Sequence, residues 1–152
     1  MDFDEILFFE TDGACAYCGI KDSRVLTIHH IEQSEPKNES YDNKIMLCRN
    51  CHSLFHEGKS PTLEEILKIK KRLIYKTLTQ QGVNALKEAY RKKCVVASPY
   101  LVNHIVEMQL LKEGDMIMSY GEPNDREHEV GMHVSYELTD KGRRFVEKWR
   151  LA

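Results

Sequence analysis

Two Cys-x-x-Cys pairs, Cys15/Cys18 and Cys48/Cys51, bracket adjacent histidines at His29 and His30 and an asparagine at Asn43. The second pair runs directly into His52 and His56. Two such pairs supply the four thiolates of the tetrahedral cage that structural zinc prefers. The imidazoles call for a separate ion. Consecutive side chains on a helix diverge by about 100°, so Cys51 and His52 do not easily close on one metal. His52 and His56 are one turn apart, share a helix face and can reach a single ion. The spacing predicts two metal sites, one of sulfur and one of nitrogen.

The elements that must position these side chains follow from the local pattern. An extended run at residues 25–31, a polar loop over 32–43 containing Pro36, an apolar run at 45–47 and a helix from about Arg49 read as strand, loop, strand, helix. The interval between the cysteine pairs is longer than in compact zinc ribbons, and His29, His30 and Asn43 lie within it. A boundary is expected near Gly58, giving domains at 1–59 and 60–152. Beyond it, Ser60-Pro61 reads as a cap and first-turn proline for a helix carrying Leu63, Ile66, Leu67, Ile74 and Leu78. A second helix is expected over 83–93, and a third from Ser98-Pro99 that Gly114 stops. Residues 116–120 and 132–138 read as two strands around a Gly/Pro/Asn loop, before a last helix through Phe145, Val146 and Trp149. The predicted class is α+β.

Composition sets outer limits. The chain has 152 residues, 41% hydrophobic and 30% charged, as in ordinary globular proteins. No segment approaches the about 18 apolar residues of a membrane span. The acidic start, Met1-Asp2-Phe3-Asp4-Glu5, is unlike a secretory signal, and the paired cysteines are spaced for zinc rather than disulfides, which predicts a reducing cytoplasm. Cys94, outside any ligand pattern, reads as a small buried hydrophobe. The net charge of −2 rules out a uniformly basic coat, but residues 68–93 are rich in lysine and arginine. Lys70, Lys71, Arg91 and Lys92 are candidate phosphate contacts there, with a solvated helix face as the alternative. The segment 122–129 is acidic and would repel phosphate. His104, His128 and His133 read as structural or solvated.

Cys15-x2-Cys18, Leu26-Thr27-Ile28-His29-His30-Ile31, Asp42-Asn43-Lys44-Ile45 and Leu47-Cys48-x2-Cys51-His52-x3-His56 together resemble an HNH endonuclease of the zinc-stabilised ββα-metal branch, over about residues 12–58. Unlike many such sequences, Glu32-Gln33-Ser34 separates His-His-Ile from Pro36. The resemblance implies a ββα-metal fold, structural zinc on the four cysteines, and DNA hydrolysis leaving 5′-phosphate and 3′-hydroxyl ends. It implies that His29 and His52 ligate a catalytic divalent ion and that His30 is the general base. It implies that Asn43 ties the loop backbone so that His30 is aimed. By similarity to the nuclease colicins, His56 would be a third ligand, with phosphate contact or packing on the zinc knuckle as alternatives. A site of three imidazoles is softer than magnesium prefers, so manganese, cobalt, nickel or zinc should occupy it more readily.

Tyr136-Glu137-Leu138-Thr139-Asp140-Lys141-Gly142-Arg143-Arg144, with the helix from Ser98 and the hairpin before it, resembles the recognition helix, wing and closing helix of winged-helix domains. That implies Thr139 as a helix cap, Leu138, Phe145 and Trp149 in the core, and a mainly helical second domain. The recognition helix is poor in basic residues, so homodimerisation or a protein partner through 60–152 stands equal to DNA binding. The leading expectation is a DNA endonuclease. The rivals are a non-catalytic zinc module of a DNA-binding or regulatory protein and a nuclease subunit that depends on a partner.

Overall fold

The computed structural model describes residues 2–117 and 133–152. In chain order the elements are α1 (Phe3–Glu10), β1 (Leu26–His30), a single 3-10 turn (Tyr41–Asn43), β2 (Lys44–Cys48), α2 (Arg49–His56) and α3 (Leu63–Lys92). There follow β3 (Cys94–Ala97), α4 (Pro99–Glu107), β4 (Leu111–Ile117), β5 (His133–Leu138) and α5 (Asp140–Trp149). Packing divides the chain into two compact units, Met1–Thr77 and Leu78–Ala152. The division falls later than the boundary expected near Gly58. Beyond that boundary Ile66 is fully buried in the same apolar cluster as Cys15, Ile31, Ile45, Leu47, Cys48 and Cys51, and Leu67, Ile69 and Leu73 pack against it.

In the first unit β1 and β2 form an antiparallel pair with His29 opposite Ile45 and His30 opposite Lys44. Alternation puts Thr27 and His29 on one face and Ile28 and His30 on the other. The helix α2 opens directly from β2, and the Cys48 sulfur accepts from the Cys51 backbone N–H at 3.4 Å. The expected cap at Ser60-Pro61 is displaced by two residues. Thr62 and Glu65 form a reciprocal capping box, with Thr62 N–H to Glu65 Oε2 at 2.7 Å and Glu65 N–H to Thr62 Oγ1 at 3.3 Å. The two expected helices are one run broken at Thr79, whose φ of 62° and ψ of 167° are not helical. The helix α1, capped by Asp2, had no sequence expectation.

The second unit holds a three-stranded antiparallel sheet ordered β3-β5-β4. Two expectations differ here. The third helix ends at Glu107 rather than at Gly114, because Gln109 takes a φ of 62° and turns the chain into β4. Gly114 lies inside β4 at a register irregularity, where a Cβ would stand 3.2 Å from the Ser135 carbonyl oxygen. Cys94 is exposed on β3, not buried. Thr139 caps α5 as expected, accepting from Gly142 N–H at 2.9 Å, and Phe145 and Trp149 are buried. Gly142 is required there, since a Cβ would fall 2.0 Å from the Leu110 carbonyl oxygen. The expected strand end at 118–120, the acidic segment 122–129 and His128 lie outside the described residues. Among those described, no helix is long and apolar enough to cross a membrane.

Candidate functional site

The four thiols of Cys15, Cys18, Cys48 and Cys51 come together, with each sulfur within 4.8 Å of the others. Cys18 Sγ lies 3.7 Å from Cys48 Sγ. A zinc–sulfur bond of about 2.3 Å puts tetrahedral sulfurs about 3.8 Å apart, so the spacing fits that ion. The first knuckle is built by backbone bonds, Gly19 N–H to Cys15 O and Cys15 N–H to Ile20 O, both at 2.9 Å. The thiols differ in how readily they lose a proton. Burial acts to raise the Cys15 thiol, but the backbone N–H groups of Cys18, Cys48 and Tyr17 outweigh it and hold the group at about 7. Burial pushes the Cys51 thiol up, as do its cysteine neighbours. A divalent cation would relieve that crowding.

His29, His52 and His56 converge separately, each offering a ring nitrogen within 4.8 Å of the others. β1 supplies His29, and successive turns of α2 supply His52 and His56. His29 is fully buried, and neither of its ring nitrogens has a hydrogen-bond partner. A buried imidazole left unbonded at both nitrogens is costly, and a ligand bond to a cation would satisfy one of them. Burial, followed by the charges of His52, His56 and His30, lowers its pKa to about 4, which keeps the ring in the neutral form that binds metal. Burial and then His56 also lower His52. Thr27 Oγ1 lies 3.0 Å from His52 Nδ1. With Nδ1 donating there, Nε2 is left free for metal. Sequence reasoning passed over Thr27, although the strand period that puts it on the face of His29 was available.

His30 stands on the opposite face of β1, beside a cleft of about 380 Å³ lined by Ile28, Glu32, Glu35, Lys37, His52 and His56. Its Nε2 meets Glu39 Oε1 at 3.0 Å, and Glu39 Oε2 accepts from Lys44 Nζ at 2.7 Å. Glu39 was also missed. A carboxylate within a polar loop carries no signal until the loop's path is known. Asn43 is fully buried and clamps both ends of that loop. Its Oδ1 accepts from Glu32 N–H at 2.8 Å, and its Nδ2 donates to Asn38 O at 2.9 Å and Glu32 O at 3.3 Å.

The basic candidates separate. Lys70 is a correction: its side chain has no exposed surface, and Nζ donates to the buried Glu10 Oε1 at 2.8 Å. It stands 3.7 Å above the Tyr41 ring, so it cannot reach a phosphate. Lys71 is partly exposed in the first unit, whereas Arg91 and Lys92 are exposed in the second. Lys92 pairs with Glu88 at 2.5 Å.

No curated protein and no solved structure matches the chain. The two candidate ligand clusters and the strand–strand–helix that carries them coincide with a family match. Residues 15–58 match the family described as HNH endonuclease, and the four clustered cysteines mark its C-x2-C…C-x2-C branch.

Proposed function

We propose that this nuclease-type protein is a metal-dependent DNA endonuclease whose reaction is carried by His30. The observation that supports this most is the pairing on β1 of His29, buried and unbonded beside His52 and His56, with His30 facing the open cleft. A zinc knob needs only the thiols, so the second ligand set favours the enzyme over the non-catalytic reading. His29, His52 and His56 would hold a divalent ion, manganese, cobalt, nickel, zinc or magnesium. When bound, that ion supplies positive charge beside the scissile phosphate. His30 takes a proton from the attacking water, whose oxygen bonds phosphorus as the bond to the 3′ oxygen breaks. The 3′ oxygen takes a proton from solvent, leaving 5′-phosphate and 3′-hydroxyl ends. Asn43 aims His30 by clamping the loop between the strands. Lys71, Arg91 and Lys92 are proposed to contact phosphate, and residues 60–152, read as winged-helix-like, to bind DNA or a partner, a second copy included.

His30→Ala should lower cleavage of a supercoiled plasmid with Mn²⁺ by at least about 100-fold, with zinc content and melting profile retained. Wild-type turnover in that variant removes His30 from the role.

A further inference from the structure

Glu39 sits one residue beyond a pinned point of the chain. Asn43 Nδ2 holds the Asn38 carbonyl at 2.9 Å, and the Asn38 side chain accepts from Ser40 N–H at 3.0 Å. The loop is thereby fixed on both sides of Glu39. Its carboxylate bridges a ladder pair, His30 and Lys44, which face each other across β1 and β2. One oxygen meets His30 Nε2 and the other meets Lys44 Nζ, at 3.0 and 2.7 Å. The Glu39 side chain is 59% exposed. As an isolated surface pair it would add little to stability, so its effect must be sought in what it does to the imidazole.

We propose that Glu39 is a positioning residue of the nuclease: its carboxylate accepts the Nε2–H of His30 and so leaves Nδ1 as the unprotonated atom that takes the proton from water. The proposal rests on the assignment of His30 as the base. Neutral imidazole carries one proton shared between two tautomers, and only a nitrogen with a free lone pair can act as base. A carboxylate at Nε2 selects the tautomer with Nδ1 free and stabilises the imidazolium formed after proton transfer. Lys44 keeps the carboxylate ionised: its hydrogen bond is the largest cause lowering the Glu39 pKa. Lys44 also makes E39Q informative. The ammonium takes the amide oxygen, which turns the amide NH₂ toward Nε2 and selects the wrong tautomer.

The test uses the full-length zinc-loaded protein, a supercoiled plasmid and Mn²⁺, under single-turnover conditions over a range of enzyme concentrations. E39Q and E39A should lower the maximal rate by about tenfold or more, with zinc content and half-saturation unchanged, and E39D should recover part of the loss. Nitrogen-15 shifts of the His30 ring should move away from the Nε2–H tautomer in E39Q. A wild-type maximal rate in E39Q, or unchanged His30 ring shifts, overturns the proposal. So does a change confined to half-saturation, which is the outcome if Glu39 only repels DNA. H30A in the same assay separates the two readings. If H30A is dead while E39Q is normal, Glu39 has no role. If H30A is as active as wild type, the assignment of the base itself fails.

Discussion

The two histidines at positions 29 and 30 meet different surroundings because a strand sends neighbours to opposite faces. His29 goes inward, where burial lowers its pKa to about 4, and His30 goes to the cleft. The inward placement has a consequence for pH. An unfolded histidine titrates near ~6.5, so between there and about 4 the unfolded chain binds more protons than the folded one. Stability from His29 is therefore fully present above the upper value and is lost as pH falls through the window. With zinc on the cysteines and no other divalent ion added, acidification from pH ~7 to ~5 should remove at most about 2 kcal/mol through this group. The measurement is urea unfolding at each pH beside His29→Phe, whose ring suits a site already packed against Phe55. Parallel curves for the two proteins would show that His29 does not titrate in this way.

Among the elements, α1 and the first half of α3 hold the loop that carries Asn43. Glu10, at the end of α1, accepts from Lys70 and from Thr77 Oγ1 at 2.9 Å, both on α3, and from the Tyr41 hydroxyl, two residues before Asn43. Donors from two elements thus meet on one carboxylate with a 1% exposed side chain. Burial lowers the Lys70 pKa to about 8 even with the Glu10 carboxylate opposing it, so the ammonium depends on that partner. Removing one member of such a pair strands a charge in the interior. Glu10→Ala should cost about 3–5 kcal/mol, read from the denaturant midpoint with zinc saturating. Glu10→Leu combined with Lys70→Met should recover part of that loss. A Glu10→Ala protein within about 1 kcal/mol of wild type would mean that the pair contributes only local order.

For the whole molecule, the segment that matches the HNH family is shorter than the compact unit that contains it. The family match ends at Gly58, while the compact unit runs to Thr77 and includes Ile66, Lys70 and Ile74 as fully buried side chains. A fragment of residues 1–77 should bind zinc and melt cooperatively. A fragment of residues 1–58 should lack a cooperative transition, because it exposes Leu47 and Ile45 and leaves Glu10 without Lys70 and Thr77. Calorimetry on the two zinc-loaded fragments checks this. An equally sharp transition in the shorter one would show that the metal alone suffices at this size.

The two candidate ligand clusters were legible in the sequence because their parts are local. Ligand types and spacings in Cys15/Cys18, Cys48/Cys51 and His52/His56 fix which atoms a turn or a helix face can present, and Thr139 caps α5 through a bond spanning three residues. Tertiary structure decided the rest, since each remaining contact joins residues whose separation the chain's path must first close. Thr27 reaches His52 and Glu39 reaches His30 only after β1, β2 and their loop are in place. Lys70 belongs to a basic run like its neighbours, yet it is an interior ion pair, because charge pattern does not reveal which helix face meets α1. The strand β3 and the early start of β4 escaped notice for the same reason. Their backbone bonds are supplied by β5, far along the chain, and neither the short apolar run of β3 nor the largely polar start of β4 has a strand period of its own to announce a partner.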